Sequence, residues 1–120
     1  MEEWEILYTD QWWAWFDALD TESKALVADA LDVLAEKGPQ LGRPLVDKVA
    51  NSNVHNLKEL RPGSTGKTEL RALFAFDPWR SAILLLGGDI SGRWNEWYRR
   101  AIPEAEELYQ QYLDERKQED

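Results

Sequence analysis

The chain contains no cysteine, so neither a disulfide framework nor a thiolate metal site is open to it. A single histidine, His55, nearly excludes a histidine-based zinc cluster as well. No apolar run approaches the ~20 residues a membrane span requires, and no N-terminal stretch has the basic-then-apolar order of a secretion signal. These absences lead us to expect a cytoplasmic, soluble protein with no membrane partner, no metal and no cofactor. Positive charge is also scarce: 14 Lys and Arg stand against 23 Asp and Glu, a net −9. Averaged over the surface, that balance disfavours a nucleic-acid ligand.

The charge is unevenly distributed, however. Residues 1–40 carry −8, residues 41–100 carry +4 and residues 101–120 carry −5. Screening confines a surface charge to about 8–10 Å at physiological salt, so a local basic cleft can operate on an acidic body. The acidic ends favour a basic protein partner. At 120 residues the chain is expected to form one domain over 1–120, with 114–120 a frayed charged tail. Seven tryptophans offer large buried areas for a core that needs no staples.

Trp4 to Thr9 reads as a first strand, and Asp10 is placed to cap a helix carrying Trp12, Trp13, Phe16 and Leu19 at helical spacing. Trp12, Trp13 and Trp15 are expected in the core rather than on a ligand platform. Asp20-Thr21-Glu22-Ser23 starts a second helix whose stripe runs from Leu26 to Leu34, and Gly38-Pro39 ends it. Residues 39–53 read as a loop. A three-stranded meander follows: Leu57 to Arg61, Glu69 to Asp77, and Ala82 to a break at Gly87-Gly88-Asp89. A helix from about Trp94 is expected to be interrupted at Pro103.

Lys58, Arg61, Lys67, Arg71 and Arg80 lie in this meander. Arginine is costly to desolvate, so an arginine in a strand tends to mark a sheet face that opens into a wet cleft. Alternation places Leu57, Glu59 and Arg61 on one face of their strand. In the next strand the phenylalanines 74 and 76 mark the core side, which sends Arg71 to the open side with Arg61. Two guanidiniums on neighbouring strands suit one phosphate, because each offers two parallel donors and never loses its charge.

The order of elements resembles the RelE/ParE toxin superfamily. Leu-Lys-Glu-Leu-Arg at 57–61, Glu-Leu-Arg-Ala-Leu-Phe-Ala-Phe-Asp-Pro at 69–78, Leu-Leu-Gly-Gly-Asp at 85–89, then Trp94, Trp97 and Tyr98, resemble its phage-derived HigB-like branch. The resemblance implies an α+β, RelE-like fold. Its small, mainly antiparallel sheet, an N-terminal strand plus the meander, would pack against two N-terminal helices and one C-terminal helix. It implies a toxin of a type II toxin–antitoxin system that cleaves mRNA without a metal, on the ribosome. A helix-turn-helix antitoxin would neutralise it, and operator DNA would be bound only through that antitoxin. Two features depart from the branch: Ile90 stands where a lysine commonly follows Gly-Gly-Asp, and the chain is acidic.

The resemblance makes Arg71 the first catalytic candidate, with Arg61 beside it, Glu59 as general base and Tyr98 as an aromatic that stacks on a base. Lys67, Arg93 and His55 are candidates for holding flanking phosphates or, for His55, acid–base work. Each has a plainer reading: Arg71 paired with Glu59 or Glu69, Tyr98 packed beside Trp94 and Trp97, His55 on the surface. Two other functions compete. One is a non-catalytic toxin that binds a protein target such as DNA gyrase; the other is a degenerate antitoxin-binding protein without nuclease activity.

Overall fold

A computed structural model describes residues 3–50, 52, 54 and 57–119. The elements run β1 (Glu5–Tyr8), α1 (Asp10–Asp17), α2 (Thr21–Lys37), β2 (Val46–Lys48), β3 (Leu57–Leu60), β4 (Leu70–Phe76), β5 (Ser81–Asp89) and α3 (Trp94–Glu119). The strands form one sheet in the order β1-β5-β4-β3-β2, parallel only between β1 and β5. The α+β architecture is the one the resemblance implies.

The sheet buries both faces. On one side Leu60, Leu70, Ala72, Phe74, Ala82 and Leu84 pack against Trp12 of α1 and Val27, Ala30 and Leu34 of α2. On the other, Leu57, Leu73, Ala75, Ile83 and Leu85 pack beneath Ala101 and Ala105 of α3. Small residues on α3 let the helix approach the strands closely. Ile83 to Leu86 is therefore covered from both sides, as its unbroken apolar run predicts.

Five details differ from expectation. The first helix is capped by Thr9, whose hydroxyl accepts from the Trp12 N–H, with Asp10 already inside the helix; Asp20 does cap α2. Trp12 is buried, whereas Trp13 is 44% exposed and stacks on Tyr8. The stretch read as a loop contains β2, whose three residues are too short to show alternation. β5 does not break at its glycines but continues to Asp89. Pro103 sits inside an unbroken α3, and the helix extends to Glu119 over most of the segment expected to fray.

The glycines of β5 have a packing reason. Leu73 pairs with Leu86 but Phe74 with Leu84, so a bulge inserts one residue into β5 and switches its facing. Beyond the bulge, a Cβ on Gly87 would lie 2.1 Å from the Trp15 ring, and one on Gly88 would lie 2.2 Å from Trp97 Nε1. Each glycine seats an indole directly on the strand, one per face. Gly88 thereby sets how closely the start of α3 lies on the sheet, and it pairs with Arg71.

Candidate functional site

Arg61, Glu59, Arg71 and Tyr98 come together on the α3 side of the sheet. β3 and β4 pair antiparallel with Glu59 opposite Leu73 and Leu60 opposite Ala72, which sets Glu59 and Arg71 on the same face, near the end of the ladder. Trp97, seated on Gly88, brings the next residue, Tyr98, over β3. The Tyr98 hydroxyl donates to Glu59 Oε2, while Arg61 donates to Oε1 through Nη2 at 2.7 Å and Nε at 3.2 Å. Glu59, 4% exposed, thus has both oxygens engaged by side chains.

Charge at the cluster follows from these contacts. The Glu59 bond holds the Arg61 guanidinium above its ordinary range against the opposing effect of burial. Asp47 of β2 adds a second carboxylate, 3.4 Å from Arg61 Nη2. Burial, then the Glu59 hydrogen bond and charge, push the Tyr98 phenol up to about 12, with neighbouring Arg71 opposing the rise. At neutral pH Tyr98 is a neutral donor.

Arg71 is held differently. Its side chain is 14% exposed, its Nη1 donates to the Leu70 carbonyl at 2.9 Å, and its Nη2 lies 3.8 Å from Glu69 Oε2. Its Nε is buried without a hydrogen-bond partner among the described residues. A buried donor left unsatisfied costs about 1–3 kcal/mol, and such a group in a native fold calls for a reason.

The other candidates lie apart from this cluster or outside view. Arg93 precedes α3, makes a long 3.5 Å bond from Nε to the Asp89 carbonyl, and lines a groove with Trp97, Arg100 and Glu104. Lys67 is exposed in the β3–β4 loop. His55 lies outside the described residues. Ile90, where the related pattern has lysine, is fully buried, and its N–H donates to the Glu69 carbonyl at 2.9 Å, so its side chain serves the core.

Sequence reasoning missed two neighbours of the cluster. Asp47 was hidden because β2 was: Val46-Asp47-Lys48-Val49 shows no period-two alternation. Trp94, read only as marking the start of the terminal helix, is 56% exposed with its ring centroid 6.1 Å from Tyr98. Among the described residues no group of three or more His, Cys, Asp or Glu side chains could hold a metal ion. No helix among them is long and apolar enough to cross a membrane.

A five-strand, mainly antiparallel sheet with three helices is consistent with a RelE-like fold. The model of the phage-derived Gp49-like protein family matches residues 14–110, and the chain belongs to that family. Two similar proteins of Mycobacterium tuberculosis (strain ATCC 25618 / H37Rv) bear the names "Putative toxin HigB2" and "Putative toxin HigB3". The first is 52% identical over 83% of this chain and 50% of its own length, so the chain spans about half of it. The second is 52% identical over 82% of this chain and 84% of its own length.

Proposed function

We propose that the chain is the toxin of a toxin–antitoxin pair and cleaves mRNA on the ribosome, in the cytoplasm, without a metal. The observation that carries this reading is the junction of Glu59, Tyr98 and two arginines on one face of the sheet. The names of the HigB relatives support the toxin part. A protein antitoxin of the helix-turn-helix kind would neutralise it and would carry any contact with operator DNA.

In the proposed step the Glu59 carboxylate takes the proton from an RNA 2′-hydroxyl, whose oxygen attacks the adjoining phosphorus. The P–O5′ bond breaks, leaving a 2′,3′-cyclic phosphate. Arg71 holds the charge that builds on the phosphorane oxygens, where a fixed guanidinium is worth far more than in water. Tyr98, protonated at neutral pH, supplies the proton to the departing 5′-oxygen. Arg61, already bound by two carboxylates, is the positioning residue that holds Glu59. Trp94 offers the exposed ring on which a base can stack, in place of the half-buried Tyr98.

One observation favours a second reading. Glu59 is 4% exposed, so RNA reaches it only after Tyr98 or Arg61 swings aside. If neither moves, the cluster is a structural knot, and a non-catalytic protein that binds gyrase or only its antitoxin fits better. Expression in bacteria, with and without Arg71→Ala, decides. Growth arrest with mRNA cleavage, lost together in the variant, is expected. Arrest with intact mRNA, or no arrest, would sink the nuclease reading.

A further inference from the structure

Across β2 and β3, Asp47 stands directly opposite Glu59, so two carboxylates are cross-strand neighbours on one face of the sheet. Like charges so placed repel each other, and a guanidinium between them relieves both. Arg61 Nη2 lies 2.7 Å from Glu59 Oε1 and 3.4 Å from Asp47 Oδ2. The Arg61 N–H donates to the Leu45 carbonyl at 2.7 Å, which fixes its backbone beside the two acids. The guanidinium therefore has two seats, and passing from one to the other needs only side-chain rotation.

The second seat is already contested. Arg43, in the turn before β2, donates from Nε to Asp47 Oδ2 at 3.1 Å, and its Nη2 lies 2.9 Å from the same oxygen. Asp47 Oδ1 accepts the Lys48 N–H at 2.9 Å. The Arg43 hydrogen bond first, and the Lys48 amide second, hold the Asp47 carboxyl below its ordinary range, so it is charged at neutral pH. The Arg43 side chain is 77% exposed, against 22% for Asp47. An exposed ion pair of this kind is weak, and a phosphate that takes a guanidinium through two parallel bonds displaces it. With Arg43 drawn away, Asp47 Oδ2 is left to Arg61, and Glu59 Oε1 is uncovered.

We propose that Arg43 binds a substrate phosphate and that Asp47, thereby released, is the positioning residue that draws Arg61 off Glu59. This rests on the nuclease reading above and names what opens its buried base. Tyr98 keeps its bond to Oε2 while the ribose hydroxyl takes the place of Arg61 at Oε1. The base is withheld until RNA is seated.

The test is steady-state cleavage of ribosome-bound mRNA by the purified parent and variants, with urea midpoints to confirm that each is folded. Asp47→Asn is expected to lower kcat about tenfold with KM near the parental value, and Asp47→Glu to restore most of the loss. Arg43→Ala is expected to do the reverse, raising KM about three- to tenfold while kcat holds, because Asp47 is then always open to Arg61. In an Arg61→Ala background, Asp47→Asn is expected to cost nothing more, since Glu59 has no guanidinium left to shed. A merely structural role for Asp47 would show its full loss there too. A parental kcat in Asp47→Asn, or an undiminished Asp47 effect without Arg61, would overturn the proposal and leave the nuclease reading intact. A parent that cleaves no mRNA would overturn both.

Discussion

α3 carries two tyrosine–carboxylate pairs on the same side of the sheet, and they are built for different ends. At Tyr98 the carboxylate is Glu59, held through both oxygens by the side chains of Tyr98 and Arg61. At Tyr112 it is Asp77, at the β4–β5 turn, whose Oδ1 also accepts the backbone N–H groups of Trp79 and Ser81 at 2.9 and 2.8 Å. Those amide bonds pin a turn in which Arg80 has a φ of 66°, a left-handed conformation that a non-glycine residue seldom adopts. Arg116 closes that second cluster, bonded to the Tyr112 hydroxyl at 2.8 Å and lying 5.1 Å above the Trp79 ring. Asp77 is committed to the backbone and Glu59 is not. Of the two clusters, the one at Glu59 has a buried guanidinium nitrogen beside it, Arg71 Nε, without a partner among the described residues. A carboxylate bound by side chains can exchange them for a substrate; one that pins a turn cannot.

The largest expected effect separates the two clusters by activity. Arg71→Ala should lower mRNA cleavage about 10²–10³-fold, the loss of roughly 2.7–4 kcal/mol of transition-state stabilisation. Arg71→Lys should not restore it, because an ammonium lacks the planar pair of donors. Cleavage rate per folded molecule is the measurement. An Arg71→Ala protein that cleaves at the parental rate would reduce the Glu59 cluster to a second structural lock.

Stability gives the converse. Asp77→Ala leaves two amide donors, one buried and one part-buried, without their acceptor and should cost about 2–3 kcal/mol, read as a lower urea midpoint. Its rate per folded molecule should match the parent. Gly88→Ala should cost somewhat less, about 1–3 kcal/mol, because its Cβ would push against Trp97. It should also reduce cleavage, since the same shift carries Tyr98 away from Glu59. A Gly88→Ala protein that is destabilised but fully active would show that the pitch of α3 does not position the site.

How much of this is readable in the residues depends on whether one strand suffices. The faces of β4 and the placing of Arg71 on the Glu59 side follow from period-two alternation, which the phenylalanines 74 and 76 make legible. The continuous helix through Pro103 is not legible. Proline removes one hydrogen bond locally, but here the anchors on both sides, Trp97 and Ala101 before it and Ala105 and Tyr109 after it, hold the helix to the sheet. The strand through Gly87-Gly88 escapes for a related reason: glycine usually weakens a strand, and only tertiary contact shows two indoles in the space. The grip of Asp47 on Arg61 depends on a strand whose whole signal is three residues, so the residue pattern does not show this second carboxylate.

The smallest effect is a titration, and it asks whether Glu59 is charged beside Tyr98 as the mechanism requires. The Tyr98 phenol has its pKa pushed up to about 12, by burial first and then by the Glu59 hydrogen bond and charge. In the unfolded chain it would ionise near the ordinary value of about 10. The folded state therefore keeps a proton that the unfolded state gives up. The stabilisation from this pair is complete below about pH 10 and is lost as pH rises through about 12. Tyr98→Phe should remove that dependence and cost about 1 kcal/mol at neutral pH, since one hydrogen bond goes and Glu59 keeps Arg61. In the same range, ultraviolet titration should show the latest-ionising phenols shifted in Glu59→Gln, with the Tyr98 midpoint falling only part of the way toward its ordinary value. It falls because the charge is gone, and only partly because burial, the larger cause, remains. A midpoint that does not move in Glu59→Gln would mean the carboxylate is not charged beside the phenol, and Glu59 would then be no base for a ribose hydroxyl.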